Sequence, residues 1–223
     1  MTVLKKAAAH LPQRWQAELK RLHFARQIAR GEFETDEAEY ARLPELIAPG
    51  DWVIDVGANI GQYTKRMSDL AGPDGRVLAF EPVPATFSLL AANVSQFAHA
   101  NVTLFNAAVS SRVEVLGMAL PRFDTGLTNY YMAHLVNAAQ AELKVLTMPL
   151  DALPIEHRVS LIKIDAEGHE AVVLQGMRAL LERSRPAMII ETGSAELVAT
   201  IEGWGYRVER AAKSSNVLCR PVA

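Results

Sequence analysis

The sequence predicts an α/β protein with a mostly parallel sheet, helices on both faces and an antiparallel strand at one edge. Three observations predict it. From Pro49-Gly50 onward, short apolar runs alternate with helical segments, the pattern of a parallel sheet covered on both faces. The chain then finishes as strand, turn, strand, which implies an antiparallel edge. With 223 residues, 50% of them apolar and 22% charged, there is enough chain for one domain with a large core.

The elements follow in order. Residues 1–30 carry Lys5, Lys6, Arg14, Lys20, Arg21, Arg26 and Arg30 against Glu18 alone. Trp15, Leu19, Leu22 and Ala29 recur at helical spacing, so this segment reads as a basic amphipathic helix. Such a helix can pack on the domain edge with a solvated basic face, act as a substrate-side lid, or touch an anionic surface. Residues 31–51 reverse the charge, with Glu32, Glu34, Asp36, Glu37, Glu39, Glu45 and Asp51 against Arg42. The expected organisation is a helical extension over 1–49 and the main domain over 50–223.

"DWVIDV" is a short apolar strand, and "IGQYTKRMSDLA" a helix closed by the turn "GPDG". "RVLAFEP" is the next strand. "PATFSLLAANVSQFA" is a helix with Pro84 near its start, where proline is tolerated. "NVTLFNAAV" is a third strand. Residues 111–150 break the rhythm: "RVEVLGMALP" and "KVLTMPL" read as strands flanking a loop. "SLIKIDAEG" resumes it, followed by the helix "EAVVLQGMRALLERS", the strand "PAMIIETG" and the helix "SAELVATIEGWG". "YRVERAA" and "NVLCRPV", joined by "KSS", are the closing strands.

Bulk properties exclude several classes. A net charge of −2 and a pI near 6.3 do not mark a nucleic-acid binder, and none is expected as a partner. The single cysteine, Cys219, excludes an internal disulfide framework and fits a reducing compartment. No run approaches the ~18 apolar residues of a membrane span. The start "MTVLKKAAAHLPQ" has no apolar stretch of signal-peptide length, so a cytoplasmic setting is expected.

In a sheet of this kind ligands bind beyond the carboxyl ends of the strands. The first such end is "DVGANIG", where Gly57 and Gly61 let a ligand approach without a Cβ in the way. It is neither a Walker loop nor G-x-G-x-x-G. The second end carries Glu81, about 20 residues after Gly61, where a carboxylate can accept from both ribose hydroxyls of an adenosine. At the third, Asn106 and Ala107 can line a flat pocket for adenine. A nucleoside site without a pyrophosphate cradle points to S-adenosylmethionine more than to NAD. Asp55 and Asn59 would lie near its amino-acid end, although each could instead cap the following helix.

"VIDVGANIGQYT", "VLAFEPVPATFSLLAANV", "NAAVS", "LIKIDAEGHEAVVLQGM" and "MIIET" together resemble the FkbM-type S-adenosylmethionine-dependent methyltransferases, over about residues 50 to 220. The resemblance implies the class I methyltransferase fold, a Rossmann-like, seven-stranded sheet with one antiparallel strand. It also implies methyl transfer, usually to a hydroxyl oxygen of a sugar, glycan or natural product. It puts the cofactor on Asp55, Gly57, Ala58, Asn59, Gly61, Glu81, Asn106, Ala107 and Asp165, and the reacting centre near "KIDAEGHE".

That stretch gathers Asp165, Glu167, His169 and Glu170 at one strand end. A hydroxyl acceptor needs a positioned base. His169 has the most suitable unperturbed pKa, and Asp165 or Glu167 would serve if desolvation raised theirs. Lys163, inside an apolar strand, is expected to pair with one of these acids, because a lone buried ammonium is costly. Glu170 reads as a backbone cap. Asp165 and Glu191, on adjacent strands, could hold Mg²⁺, although the residues do not reproduce a known ligand set closely and the metal is not favoured. Tyr130, Tyr131, His134 and Glu191 are candidate acceptor contacts. Two rivals stand beside methyl transfer: an NAD-dependent oxidoreductase and a non-catalytic cofactor-binding module of the same fold. The acceptor and the oligomeric state, homo-oligomer included, stay open.

Overall fold

The computed structural model describes residues 13–121, 132–136 and 141–222. Its main sheet has seven strands: β1 (Trp52–Val56), β2 (Arg76–Phe80), β3 (Val102–Phe105), β8 (Val159–Ile164), β9 (Ala187–Glu191), β10 (Tyr206–Glu209) and β11 (Asn216–Pro221). Their order is β10-β11-β9-β8-β1-β2-β3, and every pairing is parallel except the two made by β11. The single antiparallel strand is therefore present, but it is not the edge. Asn216 to Cys219 are all buried, whereas β10 is mostly half-exposed. The more apolar of the two closing strands takes the interior position and leaves β10 outside.

Side chains alternate between two cores, as a pleated strand requires. Ile54, Leu78, Ile162, Met188 and Val217 point to one face, under α4 (Glu170–Gln175), α5 (Arg178–Ser184) and α6 (Ala195–Gly203). Val53, Val77, Leu161, Ile189 and Leu218 point to the other, under Tyr63, Met67 and Ala71 of α2 (Gln62–Ala71). Tyr40, Leu43 and Ile47 belong to that second cluster, so residues ahead of 50 help to cover the sheet. α1 (Gln13–Arg30) lies against α3 (Pro84–Val94), which packs Leu90 over Ala58 and Ala79.

Two apolar runs are interrupted for identifiable reasons. "EAVVLQGMRALLERS" forms α4 and α5 with a break at Gly176-Met177. A Cβ on Gly176 would lie 1.9 Å from the Ser110 carbonyl oxygen, so only glycine fits. The Asp151 carboxylate then starts a new helix by accepting from Ala179 N and Leu180 N, both at 2.9 Å. "NVTLFNAAV" splits at Asn106, whose amide donates to the carbonyls of Glu81 and Pro82 at 2.8 and 3.0 Å. Beyond the split, β4 (Ala108–Val109) joins β5 (Glu114–Ala119), β6 (His134–Val136) and β7 (Leu143–Met148) in a second sheet of order β4-β7-β5-β6. No helix among the described residues is long and apolar enough to cross a membrane.

Because Leu43 is fully buried against the sheet, Leu43→Ala should cost about 2–5 kcal/mol in a urea unfolding titration. A loss below about 0.5 kcal/mol would show that the 40–47 segment only leans on the domain.

Candidate active site

A cleft of about 620 Å³, open solvent at its mouth included, lies at the carboxyl ends of β1, β2 and β8 and against the second sheet. Among the expected residues, Gly57, Asn59, Glu81, Ala107, Asp165, Glu167 and His169 line it. Val83, Met118, Ala133 and Leu135 form an apolar wall that sequence reasoning missed: Val83 precedes the helix that starts at Pro84, and the other three come from the short strands of the second sheet or the residue next to one.

Glu81 is buried at the tip of β2. One carboxylate oxygen accepts from Asn59 N at 3.0 Å and the other from Val83 N at 2.8 Å. A carboxylate has further lone pairs, so each oxygen can take one more donor. Burial pushes this carboxyl up to about 7 against the pull of those backbone donors.

Packing alone already requires a bare turn at Gly57. Gly57 has φ +75, and a Cβ there would lie 1.9 Å from the carbonyl oxygen of Asp165. The group pressed against Gly57 is thus the end of the neighbouring strand β8. Gly61 is the N-cap of α2 and backs onto Leu90. Ala58 is packed inward, its N–H donating to the Phe80 carbonyl at 2.9 Å. Asp55 is completely buried and does not line the cleft; one oxygen accepts from the Thr64 hydroxyl at 2.6 Å and the other has no partner. Burial raises this carboxyl, against Lys163 and Thr64.

Lys163 makes the pairing its position demands. Its ammonium donates to the Asp165 carboxylate at 2.9 Å and to the Gly57 carbonyl at 3.3 Å, and stands 5.3 Å from the centre of the Tyr63 ring. Burial alone would discharge it, but Asp165 and Asp55 outweigh that and hold its pKa above the usual value. Burial likewise opposes the charge on Asp165, and Lys163 and Glu191 overcome it, keeping the carboxyl below its usual range. Glu191, on the adjacent strand end, is pushed up to about 7 by burial first and then by its hydrogen bond with Asp165 and that residue's charge.

Glu167 adopts a left-handed backbone, φ +50. Glu170 holds this turn by accepting from Ala166 N at 3.2 Å and Gly168 N at 2.9 Å, the capping role expected of it. Burial first, then Asp165 and Glu170, raise the Glu167 carboxyl. Glu167 also borders a second groove with Glu191, Thr192 and Ser194. His169 contacts the Ser110 hydroxyl through Nε2 at 3.0 Å, and burial lowers its pKa, leaving it neutral. His134, the first residue of β6, is not among the residues that line the cleft, but it is near enough to Glu167 to oppose the rise of that carboxyl's pKa; its Nδ1 is 3.0 Å from the Met132 carbonyl. Asn106 does not line the cleft, being committed to Glu81 and Pro82. Tyr130 and Tyr131 lie outside the described residues.

The acid-rich segment after α1 also reaches this region. The Glu37 carboxylate accepts from the Tyr63 hydroxyl and from Asn216 Nδ2, each at 2.9 Å, and Glu39 accepts from the Ser214 hydroxyl at 2.9 Å.

The methyltransferase FkbM domain model matches residues 55–208. The chain belongs to the FkbM methyltransferase family. It is 30% identical over 203 residues to the 31-O-demethyl-FK506 methyltransferase FkbM of Streptomyces tacrolimicus, covering 76% of this chain and 77% of that one. It is 29% identical over 145 residues to Methyltransferase 1 of Beauveria bassiana, covering 56% of this chain and 58% of that one. A crystal structure of methyltransferase FkbM from Methylobacillus flagellatus superposes with a TM-score of 0.53 and 14% identity, over 92% of this chain and 59% of that one. The chain thus spans just under three-fifths of the Beauveria relative and of that solved structure.

For a member of the FkbM family, the group to test against the cleft is S-adenosylmethionine, and the residues fit. Glu81 keeps acceptor capacity for ribose hydroxyls, and Ala107, Val83 and Met118 offer an apolar wall for a flat ring. The Mg²⁺ alternative does not fit. The Asp165 carboxylate is already neutralised by Lys163, and no group of three His, Cys, Asp or Glu able to hold a metal occurs among the described residues.

Two outcomes follow for the ligand-free protein. Gly57→Ala must separate β1 from β8, so it should lower the melting temperature by several degrees or prevent folding; an unchanged melting temperature would contradict the packing. Glu81 has a folded pKa above its unfolded one. Its stabilising contribution is therefore full below about pH 4.5 and lost as pH rises through about 7. Glu81→Gln should gain stability relative to the parent between about pH 5 and about pH 8, read by thermal unfolding across that range.

Proposed function

We propose that this protein transfers the methyl group of S-adenosylmethionine to a hydroxyl oxygen of a sugar, glycan or natural-product acceptor. The observation that carries the reading is the cleft: a buried carboxylate at the end of β2, the Gly57–Gly61 turn at the end of β1, and three titratable side chains at the end of β8. Support for an oxygen acceptor comes from the Streptomyces relative, named as a methyltransferase of 31-O-demethyl-FK506. A cytoplasmic setting is part of the reading, supported by the buried free thiol of Cys219.

When bound, S-adenosylmethionine supplies an electrophilic methyl group on a positively charged sulfur. The chain's own residues must bind, orient and remove a proton. Glu81 binds the ribose and the Val83–Met118–Ala107 wall the base. Asp165, kept ionised by Lys163, is a fixed negative charge and a poor proton acceptor. Glu167 is the better base: its carboxyl is raised, and among the described residues it alone borders both the cleft and the neighbouring groove through which an acceptor can enter. His169, neutral and tied to Ser110, stands beside it as a second proton acceptor. Glu191, Thr192 and Ser194 would contact the acceptor from the groove.

Calorimetric titration with S-adenosylhomocysteine should show binding without added Mg²⁺, weakened by about 10- to 100-fold in Glu81→Ala, the worth of charge-assisted hydrogen bonds. No heat with S-adenosylhomocysteine, or heat with NAD⁺ instead, would overturn the reading. With an acceptor identified by label transfer from radioactive S-adenosylmethionine, Glu167→Gln should lower kcat by about 10²- to 10⁴-fold while leaving S-adenosylhomocysteine affinity unchanged. An unchanged kcat would remove Glu167 from the proton-accepting role.

A further inference from the structure

A second pocket lies at the end of the sheet opposite the cleft, where β9 and β10 begin. Tyr206, the first residue of β10, sits across from Pro221 of β11, and Met188, near the start of β9, faces Cys219 of the same strand. The pocket is lined by Arg178, Leu181 and Glu182 of α5, by Arg185, and by Trp204 and Tyr206. None of these residues borders the cleft or the groove beside it, so the inference stands apart from the methyl-transfer reading. Two features of the lining point to a ligand. Tyr206 is only 3% exposed, yet among the described residues its hydroxyl has no hydrogen-bond partner. A buried hydroxyl in this state costs free energy that a bound acceptor would restore. Burial raises its pKa against the pull of Arg185, so the hydroxyl keeps its proton and can donate it. The second feature is positive charge without a partner. The Arg178 guanidinium stands 4.3 Å from the centre of the Trp204 ring and makes no hydrogen bond or ion pair among the described residues. Arg185 stands 4.7 Å from the centre of the Tyr206 ring and donates to the carbonyls of Trp204 and Gly205 at 2.7 and 2.8 Å. Those bonds fix the two rings but, among the described residues, bring no acid to the Arg185 charge. Glu182, the one acid of the lining, is exposed, and two cations against one anion leave the pocket positive.

We propose that this pocket binds a small monocarboxylate with a flat apolar body. The carboxylate accepts from the free guanidinium fork of Arg178 and from the Tyr206 hydroxyl, and the body packs against Leu181 and Trp204. A cationic ligand is disfavoured, because a guanidinium already covers one face of each ring. A bare dianion such as phosphate would leave the apolar part of the lining uncovered and would be repelled more strongly by Glu182.

The test follows the indole N–H resonance of Trp204 in the isotope-labelled full chain, assigned by its loss in Trp204→Phe. Benzoate is titrated to about 20 mM in about 0.1 M salt. A saturable shift is expected. Benzamide, the neutral counterpart, should bind at least about tenfold more weakly, and so should acetate and inorganic phosphate. Arg178→Met should weaken benzoate binding by at least about tenfold. Tyr206→Phe should weaken it as well, and should raise the melting temperature of the ligand-free protein, because it removes the unpaired hydroxyl. Circular dichroism unchanged from the parent shows that both variants fold. No saturable shift with benzoate, equal binding of benzamide, acetate or phosphate, or unchanged benzoate affinity in folded Arg178→Met would overturn the proposal. So would a Tyr206→Phe protein less stable than the parent, which would show that the hydroxyl is already paired.

Discussion

The buried ammonium of Lys163 is the interaction on which the rest of the structure depends. It sits between the two central strands, and it bonds to both: to Asp165 at the end of β8 and to the Gly57 carbonyl at the end of β1. Those strand ends meet so closely that position 57 admits no side chain beyond hydrogen. A lone ammonium in this place would be costly. Asp165 and the fully buried Asp55 hold it charged. An ion pair of this kind fixes the geometry of the site more than it adds net stability.

From that point the site is built outward in both directions. Toward β2, the glycine turn carries Asn59 to the Glu81 carboxylate, and the second sheet closes the far wall. Toward β9 and β11, Tyr63 lies beneath the ammonium and passes a hydrogen bond to Glu37, which also takes one from Asn216. The chain ahead of the family region, which begins at Asp55, thus holds the first turn of α2 to the start of β11. A methyltransferase must keep its charged side chains fixed while an acceptor comes and goes, and this network supplies that rigidity from residues that do not line the cleft.

Local sequence carried the strands and most of the helices, and long-range packing decided what it did not carry. The central strands are apolar runs bounded by turns, which a single pass along the chain detects. The place of β11 inside the sheet follows from its being the more apolar of the two closing strands, a comparison that the strand–turn–strand pattern alone does not make. Gly57 and Gly61 were marked by their position after a strand, but the neighbour that requires Gly57 is Asp165, more than a hundred residues away in the chain. Glu170 was legible as a cap and Lys163 as an ion-pair partner, because a helix start and a buried charge each impose local demands. Met118 and Leu135 were not, because they reach the cleft only through the second sheet, whose strands are short and irregularly spaced.

The most direct test of this account is the unfolding free energy of Lys163→Met at about neutral pH and again near pH 4. Removing one partner of a buried pair leaves the other uncompensated, so a loss of about 3–5 kcal/mol is expected at neutral pH. The loss should shrink near pH 4 as Asp165, freed of its cation, takes up a proton. A variant as stable as the parent at neutral pH, or a loss independent of pH, would contradict the claim that this ammonium holds the two strand ends and the cleft between them.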